Sequence, residues 1–298
     1  MDAGAAIADL EEDRLVDGIF AVARKERSRT RTGRTYLMLE LVDPTGRIDG
    51  RVWNDVELLA NEFKLGDAVR VLGRVERYKT RLQLDIRTIE KAEDVDPAEL
   101  LPRARRELGE LDGFLEFLAG EISHSGLHAL LERFLNAERI RVGYRGLPAA
   151  PAGHHGYSGG LLEHTVAVAT VCRDLCQLHL RLRSDILVAS ALLHDIGRTV
   201  ELERAPGFPQ TREGELLGHV QLGVRTVEEL AADLLDPATL AEILHPIAAH
   251  HDVRAARTAE AAALYHANQL DAVAATLPTG QAKSSSSRGS DQPPPGLS

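Results

Sequence analysis

Ten residues in the middle of the chain, Ser184-Asp185-Ile186-Leu187-Val188-Ala189-Ser190-Ala191-Leu192-Leu193, are apolar on every helical face apart from Ser190 and the polar start. A helix that is apolar all round is a buried helix. The next two residues are His194-Asp195, so an imidazole and a carboxylate stand at the edge of a core. An unpaired carboxylate there costs several kcal/mol and is expected to be neutralised, hydrogen-bonded or bound to a metal. All twelve histidines of the chain lie between His124 and His266. The centre of the sequence is therefore where a metal site is expected.

The 298 residues suit about two domains, and 44% hydrophobic with 27% charged residues is ordinary for a globular protein. Cys172 and Cys176, four apart on an expected helix, read as packed thiols rather than a disulfide. The acidic, Ala-rich start has no cationic or apolar leader, and no run approaches the roughly 18 apolar residues of a membrane span. The expectation is a cytoplasmic protein with no membrane partner.

The net charge of −10 is unevenly distributed. Between Arg14 and Lys91 there are 17 Lys and Arg against 12 Asp and Glu, while the rest of the chain holds 18 against 33. A basic module joined to an acidic, His-rich one suggests polyanion binding by the first and chemistry in the second. Five excess charges also suit a merely solvated surface.

The basic module reads as strands. Tyr36 to Val42 leads through the turn Asp43-Pro44-Thr45-Gly46 into Arg47 to Trp53, where Ile48 and Val52 alternate with polar residues. A short helix is expected from Asp55 to Phe63. Beyond it Val69, Val71 and Val75, then Leu82, Leu84 and Ile86, keep period two. About five strands with a helix between the third and fourth suit an all-β barrel of the OB type. Arg24, Lys25, Arg27, Arg29, Arg31 and Arg34 form a cationic loop between the first two strands; Trp53, Tyr78, Lys79 and Arg81 add charge and aromatics. Such a set can track phosphates and stack bases, although Trp53 and Tyr36 can equally face the core.

After Pro97 and Pro102 the pattern turns helical, with amphipathic segments at Glu107–Phe117 and Leu127–Leu135. A Gly/Pro/Ala-rich loop, Gly143–Gly160, carries His154 and His155 to a helix that starts near His164. Leu216-Leu217-Gly218-His219 opens a further helix, and Asp236-Pro237 caps the next. In that helix Leu240, Ile243, Leu244, Ile247, Ala248 and His251 share a face, so His251 is expected to point at the core with His250 beside it. Pro246 should kink or shorten it, and His245 falls off the face. A last helix, Ala259–Ala275, carries His266, Asn268 and Asp271.

A lone His on an apolar face is usually a satisfied core residue. Here His164, His194, Asp195, His219, His250 and His251 fall at ends or inner faces of successive helices. Imidazole suits Zn, Fe, Mn and related ions, a carboxylate can bridge two of them, and two ions can clamp the attacking and leaving oxygens of a phosphoryl displacement. The order H…HD…H…HH…D on helices resembles the HD phosphohydrolase superfamily. With the basic barrel, Leu100-Leu101-Pro102, Gly159-Gly160-Leu161-Leu162-Glu163-His164-Thr165, Leu192-Leu193-His194-Asp195-Ile196-Gly197, Glu201-Leu202 and Glu213 to His219, the chain is similar to the bacterial YhaM-type 3′-5′ exoribonucleases from about Val16 to Ala275.

The resemblance implies a fold of OB barrel followed by an all-α helical bundle. It implies metal-dependent 3′-5′ hydrolysis of single-stranded RNA, with single-stranded DNA as a further candidate. The cofactor is a divalent metal, Mn²⁺ first, with Mg²⁺, Co²⁺, Fe²⁺ and Zn²⁺ as other candidates. His164, His194 and Asp195 are the implied ligands, with Asp195 placed to bridge, and His219, His250 and His251 complete a second ion site or hold the phosphate. Asp195 and Arg198 are the implied catalytic pair, Arg198 standing where a Lys is usual. Asn268 stands where the family pattern has a ligand Asp, with Asp271 one turn on. The expected organisation is a tail (1–13), OB domain (14–92), helical linker (93–153), HD domain (154–277) and disordered tail (278–298), with a homo-oligomer left open. Two other functions fit the same residues: an HD phosphohydrolase of small nucleotides, and a nucleic-acid-binding protein with a weakened site.

Overall fold

A computed structural model describes residues 6–276 apart from 105 and 152; the tail expected to be disordered lies outside the described residues. The first half is a closed barrel in the order β1-β2-β3-β5-β4, built from β1 (Leu15–Arg29), β2 (Thr35–Asp43), β3 (Gly46–Val52), β4 (Ala68–Tyr78) and β5 (Arg81–Lys91). The 15-residue β1 serves two neighbours. Leu15–Ala21 pairs with β4 and Ala21–Arg29 with β2, and an irregularity between Val22 and Arg24 lets the strand turn from one to the other. Inward residues repeat at period two: Leu37, Leu39 and Leu41 on β2, and Val69, Val71 and Val75 on β4, fill the barrel with Phe20, Phe63 and Leu84. A helix, α1 (Val56–Glu62), bridges β3 and β4, the expected place.

One expectation changes here. The cationic segment is not a loop throughout, because β1 runs on to Arg29 and only Thr30–Arg34 turns. Alternation hides in a run of polar residues, where both faces of the strand meet solvent.

The second half is helical: α2 (Leu108–Gly120), α3 (Ser125–Asn136), α4 (Glu138–Gly146), α5 (Gly160–Leu178), α6 (Ser184–Leu193), α7 (Arg198–Glu201), α8 (Arg212–Ala231), α9 (Pro237–Ala249) and α10 (Ala259–Thr276). At the centre, α6 is buried from Ile186 to Leu193 and packs against α5, α9 and α10. Leu111, Leu115 and Phe134 from α2 and α3 share one apolar core with Leu187 and Ile243, so no break in packing falls at residue 153. The short α4 occupies sequence expected, from Gly143 on, to be loop. Ile140 and Tyr144 bury its inner face one turn apart, and the Tyr144 hydroxyl donates to the Leu192 carbonyl at 3.1 Å. That bond pins the end of α6 next to His194. Among the described residues no helix is long and apolar enough to cross a membrane.

Two interruptions place side chains. Gly218, at φ 69° and ψ 162°, breaks α8 just before His219, a conformation that costs other residues strain. Pro246 sits inside α9, which ends three residues later at Ala249. His250 and His251 therefore leave the helical register in which they were projected.

Candidate metal centre and nucleic-acid interface

Five helices deliver one cluster. The first turn of α5 brings His164, the end of α6 brings His194 and Asp195, and the break in α8 brings His219. His250 and His251 follow the end of α9, and α10 contributes Asn268 and Asp271. Asp195, 3% exposed, is the hub. Its Oδ2 lies 3.6 Å from His194 Nε2 and 3.8 Å from His164 Nε2. Its Oδ1 lies 3.5 Å from His219 Nε2 and 3.6 Å from His250 Nε2. The two oxygens thus face two separate sets of imidazoles.

Four of these imidazoles, His164, His194, His219 and His250, have a partner at the other nitrogen. His194 Nδ1 lies 2.8 Å from the Ala191 carbonyl and His250 Nδ1 2.6 Å from that of Ile247; only an N–H can bond a carbonyl, so both donate there. His164 Nδ1 is 2.6 Å from Asp271 Oδ2, and His219 Nδ1 is 3.7 Å from Glu201 Oε2. Carbonyl and carboxylate partners of this kind fix tautomer and ring orientation in metal-binding histidines. All four Nε2 atoms are thereby turned to Asp195.

The residues fit a divalent metal. Asp195 Oδ1 and His250 Nε2 are buried with no hydrogen-bond partner, which a buried polar atom tolerates poorly. Nitrogens at bond lengths of about 2.0–2.1 Å from a shared ion stand roughly 3–3.5 Å apart. His164 Nε2 and His194 Nε2 are separated by 3.2 Å, and His219 Nε2 and His251 Nε2 by 2.8 Å. Ligand atoms of Asp195, His219, His250 and His251 lie mutually within 4.8 Å, as do those of His164, His194 and Asp195. Protonation agrees. Burial, reinforced by the neighbouring His250 and His164, pushes His194 down to about 3; burial and His250 do the same to His251. Burial opposes ionisation of Asp195, but His194, Arg198, His250 and His219 outweigh it and hold the carboxyl well below its usual range. Neutral imidazoles and an ionised carboxylate are the states that bind metal.

The surroundings correct and extend the sequence reading. His250, not His251, takes the fully buried place: the residue His251 is exposed, but its ring is partly buried against His250, with Nε2 2.8 Å from His219 Nε2, because α9 stops short of both. Asn268 is buried and its Nδ2 donates to the His250 carbonyl at 3.3 Å. Asp271 accepts from His164 and also lies 2.9 Å from His155 Nε2. Burial raises the Asp271 carboxyl, yet these hydrogen bonds from His155 and His164 keep it far below normal. From His155 the network continues to the Tyr157 hydroxyl at 2.7 Å, which donates to Glu163 Oε2 at 2.8 Å.

Glu201 was not among the expected site residues. It is 3% exposed and accepts from Arg198 Nη1 at 2.6 Å and Gln210 Nε2 at 3.2 Å. Despite burial, His219 and Arg198 hold it down to about 2. The sequence reading names it only within the Glu201-Leu202 element of the resemblance, three residues after Arg198, and gives it no role in the site. Arg198 Nε lies 3.7 Å from Asp195 Oδ1 and is itself buried without a partner. Gly197 makes this junction possible: a Cβ there would stand 1.9 Å from the His219 carbonyl oxygen.

On the barrel, aromatic and cationic side chains form a ladder. The Arg34 guanidinium lies 5.6 Å from the Trp53 ring, and Trp53 stacks on Tyr36 with centroids 4.8 Å apart. Arg51 sits 5.6 Å from Tyr36 and 4.7 Å from Tyr78, and Lys79 lies 5.5 Å from Tyr78. Trp53 and Tyr36 stand half-buried outside the core, which removes the core-packing alternative. Arg29, Arg31 and Arg81 are exposed; Arg24 pairs with Glu26 at 2.7 Å and Arg27 with Glu57 at 3.1 Å, exposed pairs that hold weakly. Lys25 departs from the expectation. Its ammonium donates to the Ala60 carbonyl at 2.8 Å and to that of Phe63, 4.0 Å above the Phe63 ring, so it anchors α1 rather than facing a strand.

Residues 21–92 match the family of OB-fold nucleic acid binding domains, and residues 161–273 match the HD domain. Over 249 residues the sequence is 25% identical to the 3′-5′ exoribonuclease YhaM of Listeria monocytogenes serotype 4b (strain CLIP80459), covering 82% of this chain and 79% of that one. The chain is a homologue of the YhaM proteins. The 3′-5′ exoribonuclease YhaM of Listeria innocua serovar 6a (strain ATCC BAA-680 / CLIP 11262) is 24% identical over the same coverage. Among solved structures, the second OB-fold domain of replication protein A from Methanococcus maripaludis aligns with 30% of this chain and 96% of its own, at 25% identity and a TM-score of 0.25. The YhaM likeness spans both the barrel and the histidine cluster.

Proposed function

We propose that this YhaM homologue is a metal-dependent 3′-5′ exoribonuclease: the barrel holds single-stranded RNA and the HD domain hydrolyses its terminal phosphodiester. The observation that carries this reading is the division of Asp195, with each carboxylate oxygen facing its own set of imidazoles and Oδ1 left without a partner.

His164, His194 and Asp195 Oδ2 would hold one ion; His219, His250, His251 and Asp195 Oδ1 would hold another. Such ions supply positive charge for the attacking and leaving oxygens of an in-line displacement. Mn²⁺ is the first candidate. Asp195 and Arg198 are the catalytic pair. Arg198 is held by Glu201 and keeps Nε directed inward, where it can donate to a phosphate oxygen. Asn268, bonded to the His250 carbonyl, steadies that ligand and adds no charge. On the barrel, Trp53, Tyr78 and the half-buried Tyr36 offer faces for bases, while Arg34, Arg51, Lys79 and Arg81, with Arg29 and Arg31, offer charge to phosphates. Single-stranded DNA is a second candidate strand, and the cytoplasm the proposed place of action.

The test is incubation of the purified chain with Mn²⁺ and 5′-labelled single-stranded RNA. A ladder shortening from the 3′ end supports the reading. Salt-sensitive binding with no cleavage would instead mark a binding protein, and turnover of mononucleotides alone a small-substrate phosphohydrolase.

A further inference from the structure

The barrel grips the two loops that carry outer partners of the metal centre. On one side Arg47, near the start of β3, donates through Nη2 to the Gly156 carbonyl at 2.7 Å and through Nη1 to that of Pro151 at 3.3 Å. The chain that joins barrel to helices adds a second hold. Its Arg103 N–H reaches the Pro44 carbonyl of the β2–β3 turn at 3.4 Å, and its Pro102 carbonyl accepts from the Ser158 N–H at 2.7 Å. On the other side Gly207 lies so close to β1 that a Cβ there would stand 2.4 Å from the Ala23 carbonyl oxygen.

Each gripped loop leads to one set of imidazoles. His155 precedes Gly156 and has φ 46°, a conformation that a residue with a Cβ keeps only where its surroundings impose it. Its Nε2 lies 2.9 Å from Asp271, which holds His164. The Gly207 loop continues to Gln210, which donates to Glu201, and Glu201 lies 3.7 Å from His219 Nδ1.

We propose that the barrel is the frame on which the metal centre is set, and that Arg47 is the positioning residue for its His164 half. The assignment rests on the metal-dependent reading above. Without its donor the Gly156 carbonyl is released, and His155 can relax out of its left-handed backbone. Its ring then leaves Asp271, and His164 loses the partner that fixes its orientation, which weakens metal binding. One planar guanidinium on two carbonyls sets a direction that an ammonium sets less well. Arg47 also shares the outward face of β3 with Arg51 of the stacking ladder, so the element that displays the ladder carries the clamp.

Titration calorimetry of the full chain with Mn²⁺ tests the assignment. Arg47→Ala is expected to weaken Mn²⁺ binding about 2- to 30-fold, the range for couplings carried through packed networks, and Arg47→Lys to recover part of the loss. At limiting Mn²⁺, kcat on single-stranded RNA should fall while KM holds. In an Asp271→Asn background Arg47→Ala should cost little more, because the route it serves is already broken. Gly156→Ala is a second handle that keeps the arginine: its Cβ would stand 3.1 Å from Arg47 Nη2, and it should weaken Mn²⁺ binding too. Unchanged Mn²⁺ affinity in both single variants overturns the assignment, as do fully additive losses for Arg47→Ala and Asp271→Asn. Loss of RNA affinity with Mn²⁺ binding intact would make Arg47 a phosphate contact and overturn it as well. If Mn²⁺ binding weakened as expected but no RNA were cut, the nuclease reading would fall and the frame would stand. An unmodified protein that bound no Mn²⁺ would overturn both.

Discussion

Asp271 Oδ2 lies 2.6 Å from His164 Nδ1, and that contact decides which nitrogen of the imidazole faces Asp195. Asp271→Asn is expected to lower Mn²⁺ affinity about 10- to 100-fold, the usual cost of losing a histidine's outer partner. Isothermal titration with the metal checks it, and Asp271→Glu should recover part of the loss. Unchanged affinity would show that His164 is held by something else.

Asp195→Ala should abolish cleavage while leaving RNA binding largely intact, since Asp195 is buried among the helices and the ladder lies on the barrel. Gel-shift and cleavage assays on one preparation decide it. Equal loss of both would contradict the division of labour between domains.

Two barrel residues should respond in opposite ways. Trp53→Ala removes a stacking face and should weaken RNA binding by about 1–3 kcal/mol, with little change in the urea midpoint. Lys25→Met removes the bonds to the Ala60 and Phe63 carbonyls and should cost about 1–2 kcal/mol of stability while sparing affinity. The reverse pattern would exchange their roles.

Asn268→Asp sets two effects against each other. A second carboxylate should raise Mn²⁺ affinity. Without metal, however, its oxygens would face the His250 carbonyl that Asn268 now serves as donor, so the metal-free melting temperature should fall. A metal titration that does not move would exclude residue 268 from the ligand set.

Acid should destabilise the metal-free protein. Burial depresses His194 and His251 to about 3 and His154 to about 4, from an ordinary 6.5. Below 6.5 the unfolded chain takes up protons that the folded chain refuses, so stability present above that pH declines toward 3. Glu201, held at about 2, extends the decline below its ordinary 4.5. Urea midpoints of chelator-treated protein at pH 7.5, 6 and 5 should fall in that order; a flat series would mean that these imidazoles are not kept neutral.

The parts of the fold that show in the sequence are those where burial writes a period. Leu37, Leu39 and Leu41 mark a strand, and the all-apolar α6 marks the centre. The site was legible where histidines cluster at helix ends. It was misread at His251, because a helical projection cannot see that α9 stops at Ala249. The approach of Glu201 to His219 and the link from His155 to Asp271 went unread because they depend on contacts between separate segments of the chain. Lys25 looked like its neighbours in composition; only the approach of α1 separates it from them.

The glycine between the two halves of the cluster has a consequence for redesign. Because Gly197 lets α7 begin in near contact with the His219 carbonyl, the separation of the two proposed ion positions is a main-chain dimension, not a matter of rotamers. Swapping imidazoles for other donors would change which ions are preferred while leaving that separation alone. A methyl group at residue 197 would do the opposite, keeping every donor and forcing the two halves apart, so the gauge of the centre can be altered independently of its ligands.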